Sequence, residues 1–491
     1  MGCSCTKGTG VKKSNPKSRP QTIKLTPESF IKSNSKDFTD VYTIGTPLGS
    51  GAYGDVIQVI HKLTNQERAV KIFLKNNDKH KDSSYEKTKN EIEILKKLSH
   101  PTIIKIYEYF EDEKRVYIVM EKCYGGELFN QITTKKSLNE SISALICKQL
   151  FSAISYLHSN KIVHRDIKPE NIMLEDSEDF INIKIIDFGT ATYYDGGIMK
   201  ELSGSSYYIS PEVIKGEYNE KCDEWSIGVI LYILLCGNPP FAGSSTEQIM
   251  RKIEIGTFSY NNPIWTSVSP LAKDLINKLL CPVSYRLSSE EALRHPWIEE
   301  KGKYPIIKSP MLSNVIENLQ SFNGLNKFKD AISTFITSQI LEIHETKELR
   351  EIFKSIDING DGKLSKEEMI NGFACHKEIL NRDKYIEKII NDVDTDGNGY
   401  IDYNEFIKAT VNRQKLYSKD NLKKAFDIFD LDSSGKISAV ELEKAFSLGT
   451  NKNSIWQDLV LKADKNSDGE IDFQEFCEFI ENLSDKDFLI N

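Results

Sequence analysis

At 491 residues the chain is too long for one ordinary hydrophobic core and, at roughly 150 residues per domain, implies about three compact units. Hydrophobic content of 39% with 28% charged residues places it among globular proteins, and a net charge of -8 excludes a general nucleic-acid binder. Nine scattered cysteines without metal spacing indicate free thiols in a reducing compartment, and the longest apolar run, Ile227 to Cys236, falls far short of the roughly 20 residues needed to cross a bilayer.

Residues 1–41 form an arm rich in Pro, Ser and Lys. Met1-Gly2-Cys3-Ser4-Cys5-Thr6 fits the acceptor pattern for a myristoyl chain on Gly2, without the apolar stretch of a secretory signal. One such chain anchors only marginally, so thioacylation of Cys3 or Cys5, with Lys7, Lys12, Lys13, Lys17 and Arg19, is the expected second signal for the cytoplasmic face of a membrane. The plainer alternative is a disordered cationic tail.

From Tyr42 the pattern changes to alternating apolar residues around Leu48-Gly49-Ser50-Gly51-Ala52-Tyr53-Gly54-Asp55-Val56, which predicts strand, tight turn, strand. Glycines at 49, 51 and 54 let backbone amides lie against phosphate oxygens, and because Val56 to Ile60 continue as strand rather than helix, the loop covers a nucleotide instead of capping a helix. Lys71 then sits in the apolar strand Ala69-Val70-Lys71-Ile72, which is costly unless an anion meets its ammonium. Glu91 or Glu93, on the next helical stretch, offers that carboxylate, and Glu91 is preferred.

His164-Arg165-Asp166-Ile167-Lys168-Pro169-Glu170-Asn171 and, sixteen residues later, Asp187-Phe188-Gly189 resemble the catalytic-loop and metal-binding signatures of eukaryotic protein kinases, in the family's order and spacing. Ser210-Pro211-Glu212, Asp223 to Gly228, Arg286 and His295-Pro296-Trp297 complete a domain from 42 to 298. The resemblance implies that Asp166 accepts the substrate hydroxyl proton, Lys168 contacts the transferred phosphate, Lys71 grips the α and β phosphates of ATP, and Asn171 with Asp187 holds Mg2+. It also implies that adenine lies against Glu121 to Cys123, with Met120 limiting the pocket behind. Glu127 and Glu170 resemble the acids with which basophilic kinases read an arginine, here one placed three residues before the target Ser or Thr. Where many relatives carry a phosphorylated threonine this chain has Glu201, and Arg165 is its natural partner, so activation is expected without activation-loop phosphorylation.

Beyond Leu341 the charge balance turns: 32 acidic and 21 basic residues give -11, leaving +3 for everything before. Here lies an internal repeat of twelve-residue loops at 357–368, 394–405, 430–441 and 464–475. Calcium requires six to eight oxygens, and this spacing supplies them from positions 1, 3, 5 and 12 and a backbone carbonyl at position 7. The ligands are Asp357, Asn359, Asp361, Lys363 and Glu368 in hand 1, and Asp394, Asp396, Asn398, Tyr400 and Glu405 in hand 2. Hand 3 offers Asp430, Asp432, Ser434, Lys436 and Glu441, and hand 4 Asp464, Asn466, Asp468, Glu470 and Glu475. Counting the water-linked position 9 as well, the carboxylates number three, four, three and four, which predicts tighter binding in hands 2 and 4. Apolar Leu364, Ile401, Ile437 and Ile471 at position 8 predict pairing of the loops through short strands.

Between these domains, residues 299–344 carry apolar positions at helical spacing: Leu312, Val315, Ile316 and Leu319, then Leu325, Phe328, Ile332, Phe335 and Ile336, interrupted at Asn323-Gly324. Kinase, amphipathic junction and four hands in this order resemble the calcium-dependent protein kinases of plants, algae and apicomplexan protists. The resemblance implies an α+β two-lobed protein kinase fold followed by an all-α EF-hand calmodulin-like domain, residues 345–491. It implies a monomeric serine/threonine kinase using ATP, Mg2+ and Ca2+, autoinhibited by the junction and released by calcium. No basic pseudosubstrate occurs between Ser309 and Ile340, so occlusion by the helix itself is expected, and a 1–298 fragment is expected to be active without calcium. The competing readings are a pseudokinase scaffold, which the complete set of catalytic residues opposes, and a calcium buffer, which has no use for an ATP site.

Overall fold

The computed structural model describes residues 27–31, 33–34, 36–51, 54–75, 83–135, 137–176, 181–304, 309–322, 327–374, 382–446 and 453–482. Gly2, Cys3 and Cys5, like Ala52, Tyr53 and the Asn323-Gly324 interruption, lie outside them. The alternating segment after Tyr42 forms strands β1 (Tyr42–Gly51) and β2 (Gly54–His61), joined by β3 (Glu67–Leu74), β4 (Ile106–Glu111) and β5 (Arg115–Met120) in an antiparallel sheet of order β1-β2-β3-β5-β4. One face of the sheet buries Val59, Val70, Tyr117 and Val119 under Phe38, whose ring stacks on Tyr117 at 4.6 Å. On the other, α1 (Ser83–Lys97) packs Ile92 and Leu95 into the main core.

The second lobe is helical. Its long helix α2 (Glu140–Ser159) is capped by Asn139, whose side chain accepts from the Ile142 amide at 2.9 Å. A two-stranded hairpin, β6 (Ile172–Leu174) against β7 (Ile183–Ile185), lies beside it with Ile172 opposite Ile185 and Leu174 opposite Ile183. The apolar run beginning at Ile227 belongs to α3 (Cys222–Cys236), buried at every residue and stopped by Gly237 at φ 75°. Among the described residues no helix is long and apolar enough to cross a membrane.

The junction folds as α4 (Ser309–Ser321) and α5 (Lys327–Phe335), the latter running into a π-helical turn, Ile336–Ile340. Leu312, Val315, Ile316, Leu319, Ile332, Phe335 and Ile336 are buried in one core with the four hands, so the apolar stripe is spent on the sensor. Hands 1 and 2 pair through Leu364 opposite Ile401, hands 3 and 4 through Ile437 opposite Ile471, giving two lobes.

Candidate active site and calcium loops

Lys71 and Glu91 are brought together by the sheet and α1: Nζ lies 3.0 Å from Glu91 Oε1 and 2.9 Å from Asp187 Oδ1. Burial works against the Lys71 ammonium, but the Glu91 and Asp187 carboxylates outweigh it and hold its pKa above the usual lysine value. Burial also opposes the Asp187 charge, yet Lys71 prevails and the carboxyl sits below its ordinary range. Glu93, by contrast, faces outward and pairs with Lys96 at 2.8 Å.

In the catalytic loop, Asp166 Oδ2 accepts from Lys168 Nζ at 2.7 Å and Oδ1 from Ser205 Oγ at 2.9 Å, while Lys168 also donates to Ser205 at 2.9 Å. Asn171 Nδ2 donates to the Asp166 carbonyl at 2.9 Å, so its amide group is tied to the loop through nitrogen and its oxygen is left as the donor a hard cation prefers. The loop is anchored from below by Asp223, which accepts from the His164 and Arg165 amides at 3.0 and 2.8 Å. Burial opposes the charge of His158, but Glu224 and Asp223 override it and push the imidazole up to about 10. Arg165 (φ 68°) and Asp187 (φ 63°) both hold left-handed backbones, a strain of about 1–3 kcal/mol each that the surrounding contacts enforce.

The glycine loop closes with Gly49 opposite Val56 and Gly51 opposite Gly54. Gly54 is fixed by the sheet itself: its φ is 124°, and a Cβ there would fall 2.3 Å from the Ile72 carbonyl oxygen. Leu48 is exposed and Val56 half-buried, while Met120 is buried where β5 ends. Glu121 pairs with Lys184 at 2.9 Å, and Cys123 is half-buried next along the chain between the lobes. Burial, and then repulsion from Glu170, raises Glu127 above the ordinary carboxylate range, a repulsion that a cation would relieve. Arg165 meets Glu201 at 3.0 Å, and Tyr218 donates to the Glu201 carbonyl at 2.7 Å.

In the calcium loops the position-6 glycines Gly362, Gly399, Gly435 and Gly469 have φ of 78, 86, 82 and 89°. Each position-12 glutamate reaches back across its loop: Glu368 accepts from Ile358 N at 3.0 Å, Glu405 from Thr395 N at 2.7 Å, Glu441 from Leu431 N at 2.8 Å and Glu475 from Lys465 N at 3.0 Å. Asp394, Asp396 and Glu405 bring one oxygen each within 4.8 Å of one another, as do Asp430, Asp432 and Glu441. In hand 1 burial, then repulsion from Asp361 and Glu368, raises Asp357 well above a carboxylate's range, and its buried Oδ1 has no hydrogen-bond partner. Crowded, unsatisfied carboxylate oxygens at these spacings fit a divalent cation. Lys436 of hand 3 reaches Asp468 of hand 4 at 2.6 Å, linking the second pair of loops.

Sequence reasoning missed how the sensor meets the kinase. Arg350 and Lys354, on α6 (Lys347–Ile356) ahead of hand 1, reach Glu175 at 2.7 Å, and Gln149 and Asn182 at 2.7 and 3.1 Å. Glu175 and Asn182 flank one end of the β6–β7 hairpin; Asn171 and Asp187 lie at the other, four and five positions away along the chain. The π turn adds the Gln339 carbonyl, bonded by Arg68 at 2.9 Å, and the Ile340 carbonyl, bonded by Gln66. A signal existed: Lys184 is a lone cation in an apolar strand, as Lys71 is, and hand 2 has Glu387 and Asn391 where hand 1 has Arg350 and Lys354.

The chain matches the protein kinase domain family over residues 42–298 and the EF-hand domain pair family over 346–411 and 419–481. It is 41% identical over 490 residues to calcium-dependent protein kinase 4 of Plasmodium falciparum (isolate 3D7), covering 96% of this chain and 92% of the relative. Its identity to calcium-dependent protein kinase 4 of Plasmodium berghei (strain Anka) is 41% over 496 residues, covering 97% and 93%. To calcium-dependent protein kinase 3 of the same organism it is 37% over 473 residues, covering 94% and 84%. Intact catalytic motifs, four calcium loops and near full-length relatives together make this chain a member of the calcium-dependent protein kinase family, a calcium-activated serine/threonine protein kinase.

Proposed function

We propose that the enzyme transfers the γ-phosphoryl group of ATP to Ser or Thr of proteins carrying an arginine three residues upstream, and that the junction holds it off until calcium fills the hands. Asp166 accepts the hydroxyl proton, oriented by Ser205 and Lys168, and Lys168 meets the transferred phosphate. Lys71, held by Glu91, grips the α and β phosphates under the glycine loop, and adenine lies between Leu48 and Val56 above and the Glu121–Cys123 backbone beside it. Asn171 and Asp187 would hold Mg2+, which when bound neutralises charge on the phosphates. Glu127 and Glu170 receive the arginine. The observation that carries this reading is the simultaneous Lys71–Glu91 and Lys71–Asp187 contact with the junction stripe buried among the hands rather than on the catalytic loop.

The test is transfer of radiolabelled phosphate to a peptide with that arginine. The expected result is calcium-stimulated transfer, reduced about 1,000-fold or more by Asp187→Asn. Transfer that ignores calcium, or persists in the variant, overturns the reading. Glu201 stands in for a phosphate on the activation loop, so phosphatase treatment should leave activity unchanged. Hands 2 and 4 bind calcium more tightly than 1 and 3; a larger loss of affinity in Glu368→Gln than in Glu405→Gln reverses that order. Gly2, with Cys3 or Cys5, attaches the arm to the cytoplasmic face of a membrane, and unchanged membrane partition of Gly2→Ala refutes this.

A further inference from the structure

Ahead of β1, consecutive side chains enter two different cores. Pro27–Phe30 is a 3-10 turn, and Phe30 is 7% exposed, its ring edge-on to Phe335 at 5.3 Å and to Phe446 at 5.7 Å between centroids. That ring completes an aromatic cluster running through Phe429, 4.6 Å from Phe335, and Trp456, 5.2 Å from Phe446. All four partners belong to the junction and the second sensor lobe. The next residue, Ile31, is 8% exposed and belongs to the kinase core, where it joins Leu95 and Ile103 around a cavity of about 250 Å³. Three residues further, the Asn34 amide donates to the Tyr109 carbonyl at 2.9 Å and its side chain to Glu108 at 2.8 Å, fixing the segment to β4.

The position of Phe30 in the sensor is specific. Phe429 immediately precedes Asp430, the first ligand of hand 3, and Phe446 lies five residues beyond Glu441, the last. The ring therefore packs on the helix that follows this calcium loop, through Phe446, and on Phe335, which itself meets Phe429 on the helix that precedes the loop. In sensor hands cation binding swings such helices apart and opens the apolar space between them. An aromatic ring fills that space favourably, because it buries a large area at the expense of only two rotatable bonds.

We propose that the described residues 27–31 and 33–34 act as a calcium-dependent strap: Phe30 packs into hand 3 when that hand is loaded, Ile31 and Asn34 tie it to the kinase N-lobe, and the arm thereby sets the calcium concentration at which the enzyme turns on. The strap rests on the reading of calcium activation above but lies outside both matched family spans, 42–298 and 346–481. It acts on the closed arrangement and not on the chemistry. Its loss therefore shifts the calcium dependence and leaves the rate at saturating calcium little changed.

The experiment uses the full-length chain and titrates calcium against phosphate transfer to the arginine-containing peptide. If Phe30→Ala weakens closure about 100-fold, sharing that loss among four bound ions moves half-maximal calcium upward about threefold. Ile31→Ala should shift it in the same direction, the double variant no further than the larger single shift, and Phe30→Leu should recover most of the loss. The Asn34 amide should resist deuterium exchange in calcium and exchange freely in chelator. Unchanged half-maximal calcium in both single variants, strictly additive shifts, or equal Asn34 protection in calcium and chelator would each overturn the strap. A wild-type chain indifferent to calcium would instead overturn the reading of calcium activation on which it stands.

Discussion

Hands 1 and 2 carry nearly the same ligands and the same left-handed glycines, yet one is packed against the kinase and the other faces solvent. At loop position 4, a Cβ on Gly360 would fall 2.8 Å from Leu293 Cδ1 and 3.1 Å from Ser152 Cβ, whereas one on Gly397 would meet nothing within 4 Å. Hands 3 and 4 have Ser433 and Ser467 at this position, with φ of 59 and 63° against 67° for Gly360. The loop alone accepts a side chain there. Glycine in hand 1 is required by the kinase surface, so a motif legible as metal chemistry also serves as an interface.

The largest difference between the two hands should come from their ion pairs. Arg350 and Glu175 are 2% and 7% exposed, and removing one partner leaves the other's charge buried and uncompensated, at about 3–5 kcal/mol. Arg350→Ala should therefore raise half-maximal calcium about fivefold once that loss is shared among four ions. Glu387, at the equivalent place in hand 2 and 3.5 Å from Lys366 on the sensor surface, has no such role, and Glu387→Ala should change it little. Calcium titrations of kinase activity compare the two, and similar shifts would erase the distinction between docked and free hands.

Position 4 offers a sharper test. Gly360→Ser and Gly397→Ser impose the same backbone change, so their difference isolates the contact with Leu293 and Ser152. Forcing a side chain into that packed boundary costs about 1–3 kcal/mol, a factor of roughly 5 to 150 in docking, whereas Gly397→Ser should be close to neutral. Deuterium exchange of α2 in calcium measures docking directly. Equal effects of the two substitutions would return Gly360 to the loop.

These contrasts mark where the sequence stopped being readable. The catalytic residues were legible because a phosphoryl-transfer site needs fixed side chains at short, fixed spacings, as in Asp166, Lys168 and Asn171. The calcium loops were legible for the same reason, and the junction stripe because helical periodicity survives in Leu312 to Ile336. Contacts such as Lys354 to Gln149, 205 residues apart, leave no local pattern. Phe30 is one of two aromatics in a polar arm, the other being Phe38, and Arg350 one cation among many on the sensor. Only comparison between repeats exposes the latter, since hand 2 has an acid, Glu387, at the equivalent place. The π turn at Ile336–Ile340, which turns two carbonyls toward Arg68 and Gln66, has no periodic signature either.

The smallest expected effect is on pH. Burial lowers Lys354 to about 7; Glu175 opposes the shift, while Arg350 and Lys184 reinforce it. Lys105, which lines the same interface, is likewise lowered by burial to about 7. Freed into solvent, a lysine returns to about 10.4, so the docked sensor binds fewer protons and docking strengthens as pH rises from 7. Below 7 both forms are protonated and the dependence flattens. One group contributes at most about tenfold in docking per pH unit, which four calcium ions share as less than twofold in half-maximal calcium. Lys354→Met should remove about half of the slope between pH 7 and 8, leaving the part due to Lys105. Hand 2, with Asn391 at the equivalent position, has nothing there to titrate. An unaltered slope in Lys354→Met would place the proton elsewhere and leave hand 1 distinguished from hand 2 by packing and the Arg350 ion pair alone.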